Sequence, residues 1–221
     1  MDLWRESGEN GGSRSPNHGT PLLSEAKLLE NTTLVFLGDS ITEHGRWQEW
    51  FGSYETHNLG VGGDTTDEVK ARLDDVVALD PGTVVLLVGA NDLAKNRSVE
   101  HIVQNIETIL VTLRNELPDA EILLQSVMPR GHEYADEIRD INRHIWQFAS
   151  SVRTHYLDLW PALALQDGEL NPEYTDDRLH LTEAGYEAWL SELEPALERV
   201  HGLPPKSRPI RLPELRNANL A

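Results

Sequence analysis

Two stretches of this sequence are apolar with no polar residue in alternation: Leu34-Val35-Phe36-Leu37, and the run Val84-Val85-Leu86-Leu87-Val88 that follows Thr83. A strand with one wet face alternates apolar and polar residues. A strand without alternation is covered on both faces, as in a parallel sheet lying between two layers of helices. Each run also stops abruptly, the first at Gly38-Asp39-Ser40 and the second at Gly89-Ala90-Asn91-Asp92. In open α/β sheets the chemistry collects just past the carboxyl ends of the strands, so Ser40 is expected at the rim of a crevice. From these residues alone, Asp39 or Ser40 reads equally well as the cap of a following helix.

The remaining chain repeats the same unit. Strands are predicted at 33–37, 55–59, 83–88, 121–127 and 154–157. Helical spacing predicts a turn at 24–30 and a helix at 46–51 with Trp47, Trp50 and Phe51 on one face. A helix is expected over 66–79, turning Val69, Leu73, Val76 and Val77 inward. Three more follow: one capped by Ser98 and closed by Pro118, one at 135–150 with Ile138, Ile141, Ile145 and Phe148 inward, and one capped by Thr182 with Tyr186, Trp189, Leu190 and Leu193 buried. Five alternations argue for a three-layer α/β/α sandwich around a five-stranded parallel sheet. One domain is expected over 23–200. Residues 1–22, rich in Gly, Ser and Asn, read as a poorly packed arm, and 201–221, with Pro204, Pro205, Pro209 and Pro213, as a tail that cannot continue a helix.

Composition narrows the function classes. There are 37 acidic against 19 basic residues, a formal charge of −18, so a phosphate backbone is repelled and nucleic acid is not an expected partner. The absence of cysteine rules out disulfides, thiolate metal sites and a cysteine nucleophile. No apolar run approaches the roughly 18 residues of a membrane span, and the amino terminus lacks the basic start and apolar core of a secretory signal. The expectation is a cytoplasmic protein that does not engage membranes.

Two further stretches complete a pattern: Gly60-Val61-Gly62-Gly63 after the second strand, and Asp177 three residues before His180. The four blocks, in order and each near a strand end, resemble the SGNH hydrolases, also called GDSL esterases and lipases, over roughly residues 33–193. The resemblance implies a flavodoxin-like fold and an esterase that works without metal or organic cofactor. It also implies that the backbone N–H groups of Ser40 and Gly63 and the side chain of Asn91 form an oxyanion hole. The requirements of acyl transfer lead to the same residues for the triad. A serine hydroxyl is a poor nucleophile until a base takes its proton, which points to Ser40 with His180, and the base needs an orienting partner, which Asp177 supplies if the intervening segment folds as one turn. Asp39 and Asp92 read as structural, bonding loop backbone.

Competing motifs fail. There is no G-x-S-x-G, Thr65 stands where a dinucleotide fingerprint needs glycine, no phosphate-binding G-x-x-x-x-G-K-S/T loop occurs, and no histidine lies in H-E-x-x-H. The expected substrate is a small carboxylic ester with a short or medium acyl chain, including O-acetyl groups on carbohydrates. Trp47, Trp50 and Met128 are expected to line its pocket. Acyl transfer to an alcohol, lysophospholipase or thioesterase activity, and a non-enzymatic binding module stand as alternatives. A homo-oligomer is compatible with the arm and the tail.

Overall fold

Side chains alternate across a strand, and in β1 (Thr33–Gly38) both sides are buried: Val35 and Leu37 enter one core, Leu34 and Phe36 the other. The computed structural model, which describes residues 33–202, places this strand inside a five-stranded parallel sheet. Its neighbours are β2 (Glu55–Gly60) and β3 (Thr83–Leu87), followed outward by β4 (Glu121–Gln125) and β5 (His155–Leu157), in the order β2-β1-β3-β4-β5. Gly38 pairs with Gly60 on one side and Leu87 on the other, so three strands end level and their loops share one rim. The chain leaves β1 for β2 on one flank and returns to β3 on the other. Loops that diverge in this way open a crevice between them.

Nine α-helices surround the sheet among the described residues. Before β3 come α1 (Ser40–Glu43), α2 (Trp47–Trp50), α3 (Thr66–Ala71) and α4 (Leu73–Val77). After it come α5 (Ala90–Ala94), α6 (Val99–Glu116), α7 (Ala135–Ala149), α8 (Trp160–Leu163) and α9 (Glu183–Gly202). One core joins Val35, Val84, Leu86 and Ile122 of the sheet to Val69 of α3, Leu73 and Val76 of α4, Ile102, Ile106, Ile109 and Leu113 of α6, and Ile138, Ile141 and Ile145 of α7. The other joins Phe36, Val85, Leu123 and Leu157 to Trp47, Phe51, Leu163, Trp189, Leu193 and Leu197. The three-layer sandwich expected from the sequence is therefore the fold. The Ser98 cap acts as expected, and a second cap, not read from the sequence, starts α3. Ser98 accepts a hydrogen bond from the His101 N–H, and Thr65 and Glu68 form a reciprocal capping box at α3.

Several details differ. The helix expected over 66–79 breaks at Arg72 (φ −118°, ψ 24°) into α3 and α4, turning the Arg72 guanidinium toward the ends of β1 and β2 rather than along the helix. The one-turn helices α5 and α8 were not expected, being too short to show a 3.6-residue period, and α1 was foreseen only through its cap. Val77, Phe148, Tyr186 and Leu190 are half-buried rather than buried. The turn at 24–30 and the arm at 1–22 lie outside the described residues. Of the tail at 201–221, His201 and Gly202 continue α9 and the rest lies outside them.

Ile106 is fully buried between α6 and the sheet. Ile106→Ala is expected to destabilise the fold by about 2–5 kcal/mol through lost burial and the cavity left behind, read as a lower midpoint in urea unfolding.

Candidate active site

Ser40 opens α1 immediately after β1, 8% exposed. Asp39 caps that helix, its carboxylate accepting the Ile41 N–H at 3.0 Å, so the cap reading of the sequence and the placement of Ser40 at the rim hold together. Asp39 is almost entirely buried. Burial pushes its carboxyl up to about 6, against the opposing effects of the Ile41 N–H and the nearby His180. Gly38, just before, has to be glycine: a Cβ there would lie 2.3 Å from both the Leu87 carbonyl oxygen and Thr42 Oγ1.

The segment from Asp177 to His180 folds as a single turn through Arg178, a left-handed residue at φ 68°. One Asp177 oxygen accepts the N–H groups of Leu179 (3.0 Å) and His180 (2.7 Å). The other lies 2.7 Å from His180 Nδ1. Burial acts to raise the Asp177 carboxyl, but the hydrogen bonds from the His180 ring, the His180 N–H and the Leu179 N–H outweigh it and hold the group at about 2. With the carboxylate facing Nδ1, that nitrogen carries the proton, and Nε2 is left to accept from Ser40 Oγ at 3.0 Å. The turn is fastened from outside, since the Arg178 guanidinium donates to Glu169 (2.7 Å) and Glu133 (2.6 Å). Imidazole and carboxylate remain open to solvent, their side chains 40% and 54% exposed.

The loop after β2 runs beside Ser40, and a Cβ on Gly62 would lie 3.9 Å from the Ser40 Cβ. Gly63 adopts φ 82°, which a side chain would strain. Asn91, in α5 beyond β3, donates one amide hydrogen to the Asp64 carbonyl at 2.9 Å, leaving its second for another acceptor. Asp92 is fully buried and accepts both the N–H and the hydroxyl of Thr66, at 2.9 and 2.6 Å. The structure thus brings Ser40, Asp177 and His180 into one chain of contacts, with Gly62 beside Ser40 and Asn91 tied to the residue after Gly63.

Trp47 and Met128, expected at the pocket wall, are instead core residues, each 2% exposed. Trp47 stacks on Phe36 at 3.9 Å and donates its ring N–H to the Thr42 carbonyl, so its polar edge is used internally. Trp50 lies half-buried against Trp47 and Tyr186. Two residues went unrecognised in the sequence. Tyr186 donates its hydroxyl to the Ile41 carbonyl at 2.6 Å, pinning α9 to the residue after Ser40. Arg72 binds Asp64 and the Gly38 carbonyl. Its signal was available: three residues from Val69 and four from Val76, it is a charged residue on an inward helical face. Among the described residues no group of three or more His, Asp or Glu side chains is placed to hold a metal ion, and no helix is long and apolar enough to cross a membrane.

Comparison with known proteins bears on this arrangement. The family model described as GDSL-like Lipase/Acylhydrolase family matches residues 36–188. The chain is 29% identical over 164 residues to platelet-activating factor acetylhydrolase IB subunit alpha1 from Bos taurus, covering 69% of each chain. It resembles the crystal structure of a GDSL-like lipase from Bacteroides thetaiotaomicron at TM-score 0.67 and 26% identity, covering 76% of this chain and 88% of that one. An acetylxylan esterase from Geobacillus stearothermophilus shares the fold at TM-score 0.61 and 20% identity, covering 80% of this chain and 97% of that one.

The raised Asp39 carboxyl makes a pH prediction. The native state holds this proton up to about 6 and the unfolded chain only to 3.8, so the native state binds more protons in between and stability falls as pH rises from about 4 to 6. Asp39→Asn is expected to flatten that part of the profile, measured as unfolding free energy at a series of pH values.

Proposed function

Since the chain belongs to the GDSL-like lipase/acylhydrolase family and is an ester-hydrolysing enzyme, we propose that it cleaves short-chain carboxylic esters, acetyl esters first, with Ser40 as nucleophile. The observation that carries this reading is the hydrogen-bond path from Asp177 through His180 to Ser40. His180 Nε2 takes the Ser40 proton as Oγ attacks the acyl carbon, while Asp177 holds the ring and stabilises the imidazolium that forms. The carbonyl oxygen, now anionic, is met by the N–H groups of Ser40 and Gly63 and the free amide hydrogen of Asn91. Collapse of the tetrahedral intermediate expels the alcohol, which leaves with the proton from His180. Water then attacks the acyl-enzyme, giving a proton to His180. As the second intermediate collapses, that proton returns to Ser40 and the acid departs.

Substrate size follows from packing. Ile41, which follows Ser40, and Trp47, whose ring N–H bonds the Thr42 carbonyl, are each 2% exposed, so the side chains next to the nucleophile along the chain are committed to the core and offer little surface to a long acyl chain. The exposed imidazole and carboxylate leave the alcohol side open, which suits a bulky leaving group such as a carbohydrate. The name of the acetylhydrolase relative points to the same acyl group. Open access for water to His180 favours hydrolysis over transfer of the acyl group to a second alcohol.

Ser40→Ala is expected to abolish hydrolysis of p-nitrophenyl acetate and labelling by a fluorophosphonate probe while leaving the melting temperature near that of the parent. Residual turnover at the parental rate would overturn the assignment. Asn91→Ala is expected to lower kcat by about 10²–10³-fold, the usual effect of losing one oxyanion donor. Across p-nitrophenyl esters, kcat/KM for acetate is expected to exceed that for octanoate by about tenfold or more. Equal values would refute core packing beside Ser40 as the determinant of chain length.

A further inference from the structure

We propose that Arg72 is a positioning residue that holds the oxyanion donors at their mutual distances without touching substrate. The inference rests on the reading of Ser40, Gly63 and Asn91 as those donors. Each belongs to a loop or short helix beyond a different strand, past the point where ladder hydrogen bonds fix one strand against the next. Donors preorganised around a developing charge are effective only while their spacing is held, so something has to cross-link those segments.

Arg72 is placed to do so. Its Nε donates to Asp64 Oδ2 at 2.8 Å and its Nη2 to the Gly38 carbonyl at 2.9 Å. Gly38 lies two residues before Ser40, and its carbonyl also accepts the Val61 N–H at 3.1 Å. Asp64 directly follows Gly63, and its carbonyl accepts the Asn91 amide at 2.9 Å. One guanidinium therefore joins the end of β1 to the loop after β2, and through Asp64 to the segment after β3. The pair is well shielded, the Arg72 and Asp64 side chains being 18% and 11% exposed. It is also where the chain departs from regular helix, at the break between α3 and α4. A planar guanidinium reaches two acceptors in fixed directions, which a lysine ammonium on a flexible stem does not reproduce.

The test compares the parent enzyme with Arg72→Lys on p-nitrophenyl acetate, together with melting temperatures and the Asn91→Ala background. Arg72→Lys is expected to lower kcat by about 10–100-fold with KM within about twofold, because misplaced donors are lost to the transition state and not to ground-state binding. Combined with Asn91→Ala, it is expected to lower kcat by less than the product of the two single effects, since both act through the same donors. A lysine variant that keeps the parental kcat, or effects that multiply fully, overturns the proposal and leaves Arg72 a stabilising ion pair only. If Arg72→Lys does not fold, Asp64→Asn/Arg72→Gln removes both charges, keeps the Asp64 carbonyl and is judged by the same two outcomes. Retained activity in Ser40→Ala would instead mark failure of the underlying nucleophile assignment.

Discussion

The hydrogen bond between Ser40 and His180 closes a gap of 140 residues, and the arrangement of the rim depends on it. Neither end is held by its own local structure alone. Ser40 sits in a helix of four residues, and a helix that short leaves carbonyls that continued winding would otherwise satisfy. Two of those carbonyls are taken by side chains instead: the Tyr186 hydroxyl on Ile41 and the Trp47 ring N–H on Thr42. Tyr186 belongs to α9, which begins three residues after His180, so the bond that completes the serine's helix also fixes the distance to the imidazole. Trp189, one turn further along, packs edge-on against Trp47 at 5.0 Å and ties the same two segments together in the core.

The chain carries an excess of acid, yet its buried carboxylates are each assigned to a backbone or side-chain partner. Asp39 accepts the Ile41 N–H at a helix start, Asp64 pairs with Arg72, and Asp92 takes two bonds from Thr66. A carboxylate removed from water without such partners costs several kcal/mol, so these residues occur where loop backbone or a guanidinium offers donors. Their common effect is to fasten the segments that follow β1, β2 and β3. Asp177 differs in remaining open to solvent. Its low pKa comes from bonds within its own turn, and Arg178, Glu133 and Glu169 hold that turn from the outside.

Much of this was legible in the residues themselves. The unbroken apolar runs announced a doubly covered parallel sheet, Ser98 marked a helix start that the structure places there, and four short blocks in order pointed to the residues now found along one rim. What was not legible has a consistent physical origin. One-turn helices such as α1 and α5 have no period to read. Trp47 was expected at the pocket because its helix starts close to Ser40 in sequence, and Met128 because it follows the fourth strand; both prove buried because a strand end turns neighbouring residues inward as readily as outward. The helix through 66–79 looked continuous because its apolar spacing continues across Arg72; that spacing marks a charged residue on an inward face but not the acceptors on two other segments that draw its guanidinium.

Periodicity and local donor chemistry are properties of neighbours along the chain, and they determined the layers, the strand ends and the residue types gathered there. Which carbonyl Tyr186 reaches, which segments Arg72 joins, and how near His180 stands to Ser40 were decided only by the packed molecule. Those contacts are made between segments that the sheet brings level, and, Arg72–Asp64 apart, their partners are separated by tens of residues or more, beyond the reach of any local pattern.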